Sequence, residues 1–138
     1  MRSEDRIPLA LAFLRVSVFL LMFIWTIDKF LNPEHAARVY ANFYFLSGLG
    51  AAPMYLLGLV ELVIIIGFVL GMRKSMTYGI VLVLHAISTV SAFRQYLSPF
   101  DGPNLLFFAA WPTLAACYAL YVLRDLDTRW VVGSRSGD

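Results

Sequence analysis

Three ionisable side chains stand inside uninterrupted apolar runs: Arg15 in LALAFLRVSVFLLMF, Glu61 in YLLGLVELVIIIGFVLG and His85 in GIVLVLHAISTV. In a hydrocarbon setting such a group costs about 2.5–3.5 kcal/mol on insertion scales, so it is kept with a partner or for a task. A carboxylate and an imidazole can hand a proton between them, and a guanidinium can hold a carboxylate or donate to a carbonyl head group. The alternative is structural, a buried ion pair that only sets helix register. Both readings stand for Arg15 and Glu61. For His85 a plain hydrogen bond to a carbonyl or hydroxyl is the simpler role.

With about 1.5 Å of rise per residue, counted from the ends that carry most basic residues, Arg15 lies roughly 10 Å in, His85 roughly 13 Å and Glu61 roughly 16 Å. These depths predict one midplane layer in which Glu61 meets Arg15, His85 or both. His85, Ser88, Thr89 and Ala92 follow i, i+3, i+4, i+7 spacing, so one small, polar face turns toward neighbouring helices. A second cluster ends the first run. In FIWTIDKFLNP, Trp25, Asp28 and Lys29 share a helical face. Arg94 reaches a similar height on the third run, and an Asp28–Arg94 contact is expected. Trp25, Asp28, Lys29 and Arg94 are therefore the candidate outer site for a ligand or partner, against the simpler alternative of a snorkelling lysine in a tryptophan belt.

Other chemistry is narrow. Cys117 is the only cysteine, which leaves no intrachain disulfide, CxxC pair or cysteine metal cage. His35 falls outside the apolar runs, so His85 has no second imidazole for haem ligation and no metal site is expected. No set of catalytic residues emerges. A net charge of only +2 argues against nucleic acid as a partner.

The elements that position these residues are long and apolar. Sixty per cent of the 138 residues are hydrophobic and 14% are charged, more apolar surface than a soluble domain of this size could hide. Four runs, near 8–31, 54–72, 76–97 and 103–123, reach the ~20 residues that a roughly 30 Å hydrocarbon core requires. The fold class is all-α, a polytopic transmembrane four-helix bundle in a single domain. The basic start MRSEDRIPLALAFLRV lacks a small-residue cleavage site after its apolar run and reads as an uncleaved first span. Arg2, Arg6, Arg73, Lys74, Arg124, Arg129 and Arg135 fall on one side, against Lys29, Arg38 and Arg94 on the other. That bias places both termini and the 72–75 turn in the cytoplasm of a bacterial plasma membrane, with 32–52 and 98–102 outside.

The outer segment NPEHAARVYANFYFLSGLG has its own helical signature. Asn32 fits an N-cap, Pro33 the first helical position and Glu34 the first turn. His35, Arg38 and Asn42 recur on one arc, with Val39, Tyr40, Phe43 and Phe45 on the rest. The pattern predicts a short interfacial helix that anchors its aromatics in the headgroup zone and ends at Gly48 and Gly50. Runs two and three are joined so tightly that they form an antiparallel hairpin. Gly67 and Gly71 form a G-x-x-x-G pair near that hairpin, with Gly58 further along. Pro112 should bend the fourth run.

Taken together, LRVSVFLLMFIWTIDKFLNP, LLGLVELVIIIGFVLGMRKSMTYGIVL and DGPNLLFFAAWPTLAACYALYVL resemble the DoxX family of small four-helix bacterial membrane proteins. The resemblance covers nearly the whole chain. It implies an inner-membrane subunit tied to redox or sulfur metabolism, including thiosulfate:quinone oxidoreduction, with Arg15, Lys29 and Glu61 as positional counterparts. Three functions follow. The chain is an accessory subunit of an oxidoreductase with a quinone or small-molecule pocket, a non-catalytic assembly subunit, or a small carrier or channel. Its expected partners are the lipid bilayer and other subunits or further copies of itself.

Overall fold

The computed structural model describes residues 2–133, and among these every regular element is helical. The order is α1 (Ser3–Leu31), α2 (Pro33–Tyr44), α3 (Ala51–Val69), α4 (Lys74–Ser91), α5 (Phe93–Leu97), a 3₁₀ segment (Asn104–Ala109), α6 (Ala110–Val122) and a 3₁₀ turn (Arg124–Leu126). Arg135 lies outside the described residues. Three stretches are long and apolar enough to cross a membrane: Glu4–Leu31, Ala51–Val69 and Asn104–Val122. Their outward faces carry bare apolar side chains such as Phe13, Leu20, Leu56, Val63 and Leu106. Contiguous apolar surface of that extent is foreign to a monomer in water.

The third expected span, α4, does not reach the same apolar composition. Its own sequence supplies the reason. Thr77, Tyr78, His85 and Thr89 are buried on the inward face, while Met76, Val83, Ile87 and Val90 are exposed on the other. The polar groups that lower its mean hydropathy are the ones turned away from the surroundings. α4 packs between α3 and α6, and α1 lies against both α3 and α6.

One end of the bundle gathers three chain segments. Arg129 reaches Asp5 at 3.4 Å, the Val132 amide donates to Leu70 O at 2.8 Å, and Lys74 Nζ donates to Asp127 O at 2.6 Å. Gly71 makes this docking possible. Its φ of +68° suits a residue without Cβ, and a Cβ there would collide with the Val131 side chain. The glycine pair read as a helix-packing motif thus divides its work. Gly67 sits against Thr77 of α4, and Gly71 receives the C-terminal segment.

Two local expectations change. α2 stops at Tyr44, with Phe45 in the left-handed region at φ 59°, before Gly48 is reached. The Phe45 and Leu46 amides both donate to Tyr40 O, which closes the last turn. Asn32 stands at the N-cap position, yet its side chain makes no cap bond and donates to Asp28 Oδ1 at 3.3 Å. Pro112 falls in the first turn of α6, where a missing N–H is tolerated. The residues before it tighten into the 3₁₀ segment Asn104–Ala109, so the irregularity precedes the helix and does not bend its middle.

Candidate functional site

The expected single layer of Arg15, Glu61 and His85 is two layers. The lower one surrounds Arg15, whose buried guanidinium forms an ion pair with the buried Asp127. Arg15 also donates to Tyr78 Oη at 3.4 Å and to the carbonyls of Arg129 and Trp130 at 2.6 and 3.2 Å. Tyr78 in turn donates to Asp127 Oδ2 at 2.7 Å. Glu61 takes no part. The difference is one of register: α1 begins at Ser3, and Arg15 is level with Tyr78 near the start of α4. The position assigned roughly 10 Å inside the bundle therefore sits at its base.

Glu61 and His85 do share the upper layer. Phe68 and Tyr78 meet edge to face at 5.0 Å; Glu61 precedes Phe68 and His85 follows Tyr78 by seven residues on antiparallel helices, which places both roughly 10 Å above that contact. The partner of Glu61 is Lys29, whose Nζ lies 2.7 Å from Oε2. Two features bring them together. Gly58, one turn from Glu61, lets α3 approach α1 so closely that a Cβ there would meet the Phe30 ring at 2.9 Å. Side chains on a helix also lean toward its N-terminus, and Lys29 does so, donating to Trp25 O at 3.4 Å. The Tyr40 ring lies 5.8 Å from the ammonium.

His85 is buried and donates from Nε2 to Ala110 O at 3.1 Å. Its ring stacks on Trp25 with centroids 6.2 Å apart. Asp28 contacts His35 Nδ1 at 2.6 Å, and the expected contact with Arg94 does not form. Arg94 is exposed and lies over the Phe45 and Phe93 rings at 5.4 and 5.7 Å. It stands on the short α5, past the end of α4.

A cavity of about 710 Å³ joins the upper-layer groups. Its charged lining comes from Asp28, Lys29 and Glu61; His35, His85 and the hydroxyl-bearing Tyr40, Tyr44, Ser88 and Thr113 add polar groups, and Trp25, Leu84, Phe107 and the apolar side chains of α2 supply the rest. The size is that of a small-molecule pocket, and so is the mix of apolar wall with few polar groups. α2 covers it. Phe43 stacks on Phe107 at 5.7 Å, and Tyr44 donates to Ser88 Oγ at 3.2 Å, while Glu34, His35, Arg38 and Asn42 are exposed. Val39, Tyr40 and Phe43 of the arc expected to anchor in the headgroup zone face the cavity, and Phe45, past the helix end, is exposed. Burial, with the Glu61 carboxylate second, pushes the Tyr40 phenol up to about 12, so this group stays a hydroxyl donor at neutral pH.

Of the outer candidates, Trp25, Asp28 and Lys29 line the cavity and Arg94 does not. Sequence reasoning missed Asp127, Tyr78 and Tyr40. Asp127 had a signal, since a guanidinium in an apolar run needs a counter-charge and the segment after the fourth run holds Asp125 and Asp127. Among the described residues no group of three or more His, Cys, Asp or Glu side chains is placed to hold a metal ion. Comparison with protein families, curated proteins and solved structures finds no match to this chain.

Proposed function

We propose that the chain is a four-span membrane subunit that holds an amphipathic small molecule, of quinone size and kind, in the cavity beneath α2. The Lys29–Glu61 pair facing that cavity carries the reading. A charge pair serving only helix register is better enclosed, as Arg15–Asp127 is at the base. Here the pair borders empty volume with an apolar wall beside it, which suits a polar head and a hydrocarbon body. The resemblance to DoxX proteins adds the setting, an accessory role in a redox- or sulfur-linked assembly of the bacterial inner membrane.

Four crossings follow from chain direction. α4 starts beside the 70–74 turn at the end where Asp5 and Arg129 meet, and it finishes at the opposite end. It therefore covers the same thickness as its neighbours, with its apolar face outward. Arg2, Arg6, Arg73, Lys74, Arg124 and Arg129 lie on segments at the first end, which makes it the cytoplasmic one. A reporter active only outside the membrane should be silent when fused to the C-terminus and active within residues 45–50. The reverse result would invert the orientation.

The pocket itself is tested by ligand retention. Protein purified in lipid nanodiscs should carry a solvent-extractable quinone or similar lipid in near-stoichiometric amount. The double substitution Lys29→Met with Glu61→Gln removes both charges and keeps the volume. It should leave membrane abundance intact and reduce retained ligand about tenfold, the equivalent of ~1.4 kcal/mol. Unchanged retention at equal abundance would reduce the chain to an assembly subunit.

A further inference from the structure

We infer that the cavity selects a ligand bearing a hydroxyl or N–H donor, and that His85 Nδ1 is the atom that accepts it. The inference rests on the pocket reading above and adds the chemistry of the head group. Its basis is the way His85 is held. Ala110 O can only accept, so the ring nitrogen 3.1 Å from it, Nε2, carries the proton. No carboxylate is hydrogen-bonded to the ring, and the neutral imidazole then has a bare lone pair on Nδ1. That atom is buried and has no hydrogen-bond partner. Among the described residues, His85 is the one residue lining the cavity that carries a buried side-chain polar atom in this condition.

The orientation of the lone pair is not left to chance. Stacking on Trp25 of α1 fixes the ring plane, and the bond to α6 fixes rotation within it. A buried acceptor without a donor costs about 1–3 kcal/mol, which a ligand hydroxyl placed against it recovers. The nearby carboxylates add acceptors of the same sign, Glu61 beside Lys29 and Asp28 beside His35. Against Nδ1 itself, a ring hydroxyl therefore matches better than a carbonyl or ether oxygen in the same place.

A pair of probes of nearly equal shape isolates the donor: 4-nonylphenol and its methyl ether. Binding is read from Trp25 fluorescence in lipid nanodiscs, in a background with Trp111→Phe and Trp130→Phe. The phenol should bind about tenfold more tightly than the ether, the size expected for one hydrogen bond to a buried acceptor. Two variants separate this from a purely structural role. In His85→Gln the amide nitrogen takes the place of Nε2 and keeps the Ala110 bond, while the Nδ1 acceptor is lost, so the preference should fall to about one. In His85→Asn the amide oxygen takes the place of Nδ1, the Ala110 bond is lost, and a preference should persist. Equal binding of phenol and ether to the parent protein, or a preference that survives in His85→Gln and disappears in His85→Asn, would overturn the assignment. Absence of binding by either probe would remove the pocket reading, and the preference with it.

Discussion

Replacing Asp127 by alanine should cost about 3–5 kcal/mol, because it strands a buried guanidinium. Arg15 and Asp127 are both essentially inaccessible, at 1% and 0% exposure. Water cannot reach Arg15 to replace the lost carboxylate, and the carbonyls of Arg129 and Trp130 offset only part of the charge. Tyr78 would lose the acceptor for its hydroxyl in the same step. Asp127→Asn should cost less, since an amide oxygen can still accept from Arg15 or Tyr78. The double variant Arg15→Leu with Asp127→Leu should recover most of the loss, as removal of both partners from a buried pair often does. Unfolding in mixed micelles, followed by circular dichroism, gives the order directly. An Asp127→Ala protein as stable as the parent would mean that the C-terminal segment is not docked on Arg15.

That segment also marks where the sequence stopped being legible. The apolar runs carry the helical fold and three helices long and apolar enough to cross a membrane, because composition over 20 residues decides solubility in hydrocarbon regardless of contacts. The capping signals around Asn32 and Pro33 located the start of α2, and the 72–75 turn was visible from its charges. What periodicity could not supply was the relative height of the helices. A shift of seven residues along α1 moves a side chain by roughly 10 Å without altering any local pattern. Depth counting therefore puts Arg15 in the layer of Glu61 and His85, whereas it lies about that distance below them. The same blindness paired Asp28 with Arg94. Both residues end their apolar runs, but α4 stops at Ser91 and Arg94 rides on a separate turn.

α2 illustrates a second limit. Its polar arc of His35, Arg38 and Asn42 and its aromatic arc were both evident in the sequence, yet periodicity says only that two faces differ. The environment of each face is a tertiary fact. Here the bundle offers a cavity to cover, and Tyr40, Phe43 and Tyr44 take that face. The exposed arc is the charged one, which is the arrangement of an amphipathic helix on a core. The sequence marks Glu61 as a residue in need of a partner and places Lys29 in the outer cluster, and the two meet at 2.7 Å. Their meeting depended on Gly58, which brings α3 onto α1 one turn away.

The Lys29–Glu61 pair should behave as a coupled unit in stability, and its asymmetry is predictable. Lys29→Met leaves a carboxylate beside an apolar wall with no cation, and is expected to cost about 2–3 kcal/mol, below the full penalty for a sealed pair because Glu61 keeps 16% exposure. Glu61→Gln is gentler, at about 1–2 kcal/mol, since the amide oxygen still accepts from the ammonium and Lys29 retains Trp25 O. The two charges are removed together in the double variant, and the remaining methionine and glutamine fill similar volume. Its loss should therefore be under about 1 kcal/mol, giving a coupling of at least about 2 kcal/mol across the cycle. This separation of stability from charge is what makes the double variant suitable for the ligand measurement. Unfolding curves of the four proteins in one detergent check the cycle. Strict additivity would show that the contact at 2.7 Å contributes nothing to the fold, and the charge pair could then no longer be counted as a preorganised wall of the cavity.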